Sequence, residues 1–337
     1  MTESQKEHPI ANWQTGETVT GFALLARREK RQDRNANDYL DLELVDATGR
    51  IIGKVWGDSQ AIQGDYEAGD FVAFKGLVKN FRDRLQLTVL KCRKATDADR
   101  KLGFDEGNLV PTTPRDIDEL WGRLEQIYRG GELPTPAYAK LAALALDLHG
   151  AALKEHPAAK TIHHAYRGGL LEHVVSMAEL ALVIGSHYSE LDRELLLLGV
   201  LFHDLGKLLE IGAMPTNSYT HNGRLVGHIV IGRDLLRDLW DEVPELSEET
   251  KLHLEHLILS HQGRREYGVP VEPMTAEALT LHMIDNLDSK LAQLRDLSGS
   301  ASGFQYVRGL GRHMLLAGSD EGGGAKEAGD GPEQLKL

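Results

Sequence analysis

Residues 195–207, LLLLGVLFHDLGK, constrain this chain more than any other segment. Almost unbroken apolar text from Leu195 to Phe202 reads as a helix buried on all sides, and it runs directly into His203 and Asp204. Burying an unpaired carboxylate costs several kcal/mol even after relaxation, so a fold that places Asp204 there must supply a cation or a dense set of donors.

The same arrangement recurs downstream and upstream. His173 sits in GGLLEHVVSM, His228 in LVGHIVIG, His261 closes LILSHQG, and Asp285 lies in LHMIDNLDSKL. A satisfied core histidine accounts for any one of these positions. The set together is better explained by a divalent cation held by imidazole nitrogens and carboxylate oxygens on stiff helices. The single cysteine, Cys92, excludes an internal disulfide and a cysteine-rich zinc knuckle and reads as a small core residue, so ligands must come from the 15 histidines and the acids. Mixed nitrogen and oxygen donors suit Mn²⁺, Fe, Co²⁺ or Zn²⁺ better than Mg²⁺. On a helix continuing through residue 211, Lys207 shares a face with His203, where it can hold a phosphate oxygen or pair with Asp204.

Two domains are expected from 337 residues, and 41% hydrophobic content is enough to fill both cores. The first is all-β, residues 14–96: period-two alternation marks strands near residues 18–28, 39–46, 50–56, 71–78 and 84–91, with a turn at Asp46-Ala-Thr-Gly49 and room for a plug helix between Gly57 and Gly69. Five strands in so short a span predict an OB-fold barrel. Net charge is −13 overall, yet residues 18–96 carry 14 Lys plus Arg against 11 Asp plus Glu, a local +3 that leaves −16 for the remainder. The expected loops REKRQDRNAND and KNFRDR are basic, so Lys79, Arg82 and Arg84 offer phosphate contacts, with Phe81 and Trp56 as stacking rings. The alternative is a core Trp56 and a solvated hairpin tip.

Residues 97–134 read as a linker carrying one helix, in which Leu120, Leu124 and Tyr128 recur at four-residue spacing. From residue 135 to 316 the text is helical, with segments at 138–148, 169–187, 192–211, 225–239, 247–260 and 275–297; residues 317–337 read as a disordered tail. The longest apolar run falls far short of the roughly 20 residues that span a bilayer, and the start MTESQKEHP lacks a signal-peptide apolar region, so no membrane association and a cytoplasmic location are expected.

The ordered series His173, His203-Asp204, Asp285 resembles the HD phosphohydrolase superfamily, an all-α metal-binding fold that hydrolyses phosphoesters. The longer stretches HHAYRGGLLEHVVSM, LFHDLGKLLE, YTHNGRLVGHI and LILSHQGRREYGVPVEPMTAEALTLHMIDNLDSKL resemble the YhaM group of 3′→5′ exoribonucleases, in which an OB-fold precedes the HD domain. That resemblance implies that His173, His203, Asp204 and Asp285 hold one ion, Mn²⁺ first among candidates, and that His228 and His261 hold a second. His253 and His256, at i and i+3 of a helix, compete with His261 for that role; the closer match at SHQG favours His261, with His253 toward solvent and His256 behind the ligands. His282, three residues before Asp285 and on its face, is a candidate to support a ligand or to meet substrate, and His163 and His164 are left uncommitted, a structural role being favoured. Metal chemistry then has Asp204 ligate and orient water while Lys207 stabilises developing charge. The resemblance further implies a hydrolase acting on single-stranded RNA, with ssDNA also open. Oligomeric state is left open, an OB-fold edge or an apolar helix face being able to mediate a homo-oligomer. Two other activities fit the residues: hydrolysis of a small nucleotide, and noncatalytic nucleic-acid binding with metal as a staple.

Overall fold

The computed structural model describes residues 9–33, 35–57, 64–81, 84–159, 165–212, 214, 218–298 and 303–316. Residues 1–288 and 289–337 form two compact units.

Strands β1 (Thr18–Gln32), β2 (Asp38–Asp46), β3 (Gly49–Trp56), β4 (Phe71–Phe81) and β5 (Arg84–Lys94) close into a barrel of order β1-β2-β3-β5-β4. All neighbours are antiparallel except β3 with β5, the Greek-key arrangement of an OB-fold. Closure depends on β1, whose first half pairs with β4 and second half with β2, bending at a register shift between Leu25 and Arg27. Alternation delivers Leu40, Leu42, Leu44, Val55, Val72, Phe74, Val78 and Leu87 to one core, joined by Cys92. The predicted turn at residues 46–49 is held by Asp46, whose Oδ1 accepts from the Thr48 and Gly49 amides. The first five residues of REKRQDRNAND, expected as a loop, are instead the end of β1, because Glu29 to Gln32 pair with Asp41 to Asp38 of β2. The expected plug helix falls mostly on residues 58–63, and the expected disordered tail on 317–337, all outside the described residues.

The segment after the barrel is ordered despite its polar text. Asp99 is buried and takes a bidentate contact from Arg93 at 2.7 and 2.6 Å, while Phe104 packs its ring on Phe22 and Phe71. Beyond it, Thr113 donates from Oγ1 to the buried Glu172 at 2.6 Å.

Nine helices follow among the described residues: α1 (Ile117–Arg129), α2 (Pro136–Glu155), α3 (Gly169–His187), α4 (Arg193–Phe202), α5 (Lys207–Glu210), α6 (His221–Val226), α7 (His228–Trp240), α8 (Glu248–Ser260) and α9 (Ala276–Ser298). Every residue of α4 from Leu195 to Phe202 is buried, as its unbroken apolar text requires. Helix α3 has the length and apolar content of a membrane span, but more than half of it is buried inside the bundle, the behaviour of a core helix. Two predicted helices are each broken in two. The span 192–211 stops as an α-helix at Phe202, and 225–239 is interrupted at Gly227, whose φ of 80° ends α6 before α7 begins. Residues 303–316, expected as part of the helical region, form a hairpin of β6 (Gly303–Val307) and β7 (Arg312–Leu316).

Candidate metal centre

The break in the LLLLGVLFHDLGK helix is a tightening of its hydrogen bonds. From residue 202 to 209 the amides of Leu205, Lys207, Leu208 and Leu209 donate to carbonyls three residues back instead of four. Side chains at i and i+3 then eclipse, so Lys207 lies over Asp204, with Nζ 2.5 Å from Oδ2, and does not share a face with His203. Gly206 permits the turn to lie against α7, since a Cβ there would come within 2.0 Å of the His228 carbonyl oxygen.

Four imidazoles converge on Asp204. Its Oδ2 lies 3.4 Å from His203 Nε2 and 3.7 Å from His173 Nε2; its Oδ1 lies 3.7 Å from His228 Nε2 and 3.8 Å from His261 Nε2. His173, His203 and Asp204 form one group and Asp204, His228 and His261 another, the ligand atoms of each lying within 4.8 Å of one another. Asp204 is common to both. Asp285 Oδ1 joins the first group at 3.4 Å from His173 Nε2.

Each imidazole is aimed by its other nitrogen. His203 and His261 immediately follow α4 and α8, and their Nδ1 atoms donate to the last-turn carbonyls of Val200 and Ile258 at 2.8 and 2.7 Å. His173 Nδ1 meets Asp288 Oδ2 at 2.7 Å, and His228 Nδ1 meets Glu210 Oε1 at 3.1 Å. A carbonyl or carboxylate can only accept, so all four Nδ1 atoms carry hydrogen and all four Nε2 atoms are turned inward as donors for a cation.

The charges fit such an ion. Asp204 is buried, which by itself raises a carboxyl, yet Lys207 and His203 hold it well below the usual range. Asp285 is likewise held down to about 2, against its burial, by His173 and His203. Burial pushes His173 down, but the Asp285 and Asp288 carboxylates outweigh it and hold the ring up at about 9. Burial, reinforced by His203, drops His261 to about 3, leaving it a neutral ligand. Burial and Asp204 act oppositely on Lys207, and Asp204 wins, raising it. The side chains of Asp285, Lys207 and His228 are 20%, 15% and 13% exposed while His203, His261 and Asp204 are at most 3%, so the first three are the part of the centre in reach of solvent.

Sequence reasoning did not find Asp288, Glu210 or Ser176, the last donating to Asp288. Their signal was present: Asp288 lies three residues after Asp285, and Glu210 three after Lys207, inside segments already singled out. His282 Nδ1 donates to the His261 carbonyl oxygen at 2.9 Å, and His256 Nε2 accepts the Met274 amide, so both act on backbone; His163 and His164 lie outside the described residues.

The barrel residues do not form one cluster. Trp56 is 41% exposed and its ring sits 5.3 Å from that of Tyr39, whereas Lys79, Phe81 and Arg84 belong to the β4–β5 hairpin. The parallel register of β3 and β5 aligns Ile52 with Gln86, which sets Arg84 level with Arg50 and leaves Trp56 six residues, about 20 Å, along the strand. Between them Lys54 and Arg50 are paired with Asp41 and Glu43. Arg82 lies outside the described residues.

Residues 170–290 match the model of the HD domain family, so the chain carries a helical HD domain behind its five-stranded OB-fold-like barrel. Among solved structures, a replication protein A heterotrimer bound to ssDNA is 22% identical over 30% of this chain and 77% of its own, with a TM-score of 0.21. The second OB-fold domain of replication protein A from Methanococcus maripaludis is 19% identical over 27% of this chain and 95% of its own, with a TM-score of 0.23. The barrel assignment rests on its strand order, not on these likenesses.

Proposed function

We propose that the protein is a metal-dependent phosphodiesterase that shortens single-stranded RNA from its 3′ end and releases nucleoside monophosphates, with Mn²⁺ as its working ion. One observation carries the hydrolytic part: four histidine Nε2 atoms converge on the two oxygens of a single buried aspartate. His173, His203, Asp204 and Asp285 would hold one cation, and Asp204, His228 and His261 a second. A bound divalent cation supplies Lewis acidity toward the phosphoryl oxygens and lowers the pKa of water. Lys207, at the open side of the centre, offers its ammonium to charge that develops on the phosphoryl group, and its contact with Asp204 fixes where that ammonium sits. Asp204 would orient a water for in-line attack on the phosphorus of the 3′-terminal nucleotide, where the bond to the 3′-oxygen of the preceding ribose breaks, that oxygen leaves as the new 3′-hydroxyl, and the terminal nucleotide departs with the phosphoryl group as its monophosphate. The basic barrel supports a nucleic-acid substrate, and the resemblance of the histidine motifs to exoribonucleases supports RNA and the 3′ polarity.

The test is incubation of 5′-labelled single-stranded RNA with Mn²⁺ and either the wild-type protein or Asp204→Ala. Stepwise shortening from the 3′ end, lost in the variant, is expected. Turnover of free nucleotides without shortening would replace this reading with a small-nucleotide hydrolase, and metal and RNA binding without any turnover would leave a noncatalytic binding protein.

A further inference from the structure

Gln262, next in the chain to His261, touches the metal centre in a way that holding a cation does not require. Its Nε2 lies 3.1 Å from His228 Nε2, the nitrogen that would bind the ion. An amide nitrogen only donates, and His228 Nδ1 carries the ring hydrogen because it faces Glu210 Oε1, so the Gln262 N–H occupies the His228 lone pair. Turning the amide end for end would set its carbonyl oxygen against that lone pair, two acceptors with no hydrogen between them. The network therefore fixes which end points inward, and in the metal-free protein Gln262 competes with the cation for His228.

The backbone beneath the side chain is held from two directions. The turn after α8 is closed by the Gly263 amide on the Ser260 carbonyl at 2.8 Å and by the Arg264 amide on the Gln262 carbonyl at 3.1 Å. His282 of α9 clamps the same turn: its Nδ1 donates to the His261 carbonyl oxygen at 2.9 Å, and its ring fills the space where a Cβ on Gly263 would come within 2.2 Å. Any response to a cation thus belongs to the Gln262 side chain, which is partly buried and whose carboxamide has no partner besides His228 among the described residues. A cation that takes the His228 lone pair leaves this N–H without an acceptor, beside the part of the centre in reach of solvent. Lys207 already stands at Oδ2 of Asp204, whereas Oδ1 faces His228 and His261. Gln262 adds a donor on the Oδ1 side. A phosphoryl group brings several oxygens that accept, and a donor on each side of the shared carboxylate suits it.

We propose that Gln262 is a substrate-binding residue coupled to the second cation: without the ion its carboxamide is held on His228, and with the ion bound the carboxamide turns to a phosphoryl oxygen of the substrate. This rests on the reading of the centre as a metal-dependent phosphodiesterase. One N–H then opposes the cation and favours the phosphate, a pair of effects of opposite sign that a purely structural side chain does not produce.

The experiment uses the full-length protein at pH 7. Mn²⁺ binding is read by calorimetry, and binding of uridine 5′-monophosphate to the Mn²⁺-loaded protein by equilibrium dialysis. Gln262→Ala should bind the second Mn²⁺ about threefold to tenfold more tightly and uridine 5′-monophosphate about tenfold less tightly. Gln262→Glu, of nearly the same size but unable to donate when ionised, should tighten Mn²⁺ further and weaken the nucleotide further, because its carboxylate attracts the cation and repels the phosphate. Weaker Mn²⁺ binding by Gln262→Ala would make the side chain a ligand or a support and overturn the proposal, as would nucleotide affinity equal to wild type. If wild type shortens RNA while either of those results is seen, the proposed function stands without this residue. If wild type takes up no Mn²⁺ or hydrolyses no phosphodiester, the reading of the centre fails and this inference with it.

Discussion

His173 is the place where the metal-free and metal-bound proteins must differ by a proton. Burial pushes the ring down, but Asp288 at Nδ1 and Asp285 at Nε2 hold it at about 9. At pH 7 the ring therefore carries both hydrogens in about 99% of metal-free molecules, and the one on Nε2 occupies the lone pair that a cation needs. Cation binding must expel it, which weakens the apparent affinity about 100-fold at pH 7 relative to pH above 9. Affinity for Mn²⁺ should tighten about tenfold per pH unit between 7 and 8.5, where His261, held near 3, is already neutral and contributes nothing. Calorimetry of Mn²⁺ binding in buffers of different ionisation enthalpy counts the protons directly, and about one should leave per protein at pH 7. Asp288→Asn keeps an acceptor for Nδ1 but removes the charge, so fewer protons should leave at pH 7, and the pH dependence should flatten. At pH 8.5, where proton competition is weaker than at pH 7, the variant should bind about 10- to 100-fold less tightly, because a weaker partner at Nδ1 makes a less basic ligand. Release of fewer than about half a proton at pH 7, together with pH-independent affinity, would refute the charge assignment at His173.

Glu210→Gln should weaken the group of Asp204, His228 and His261 about 10- to 100-fold while sparing the His173 group, so metal analysis after gel filtration should fall from two ions toward one; equal loss of both ions would contradict the division. Gly206→Ala would press a Cβ onto the His228 carbonyl and should cost about 2–3 kcal/mol in urea unfolding, with the His228 ion lost first. In the barrel, Lys79→Ala and Arg84→Ala should each lower the salt slope of RNA binding by about one, and Trp56→Ala, about 20 Å away along β3, should add to them independently in a thermodynamic cycle.

Period-two text located all five barrel strands to within a few residues, because half-buried strands write their two faces into the sequence. The end of β1 escaped because its outward residues Glu29, Lys30 and Arg31 are charged and read as loop. They are strand because cations on β1 pair with carboxylates on β2, as Lys30 does with Asp38 and Arg31 with Asp41. The β6–β7 hairpin escaped for the opposite reason: its exposed face is apolar, so no alternation separates inside from outside. Asp288 and Glu210 escaped because a carboxylate on a helix is ordinarily read as a solvated face, and only the position of a partner imidazole from α3 or α7 marks them as functional.

The helix break at His203 carries the lesson furthest. A buried apolar helix, read alone, continues through the next polar residues, and on that reading Lys207 belongs with His203. Helices α4 and α8 instead both stop one residue before a histidine, where a last-turn carbonyl without a helical partner is available to take the imidazole Nδ1–H. The apolar text thus makes the helix rigid, and its ending provides the acceptor that aims the ring. The tightened turn after α4 then places Lys207 against Asp204, so the one charge that apolar burial most disfavours is offset within three residues of sequence, before any cation is bound. What the cation would add is attraction for the histidine lone pairs, which Lys207 cannot supply. The carboxylate in LLLLGVLFHDLGK is therefore tolerable to the fold because of Lys207, and useful to it because four separate helix ends and helix faces turn an imidazole toward its two oxygens.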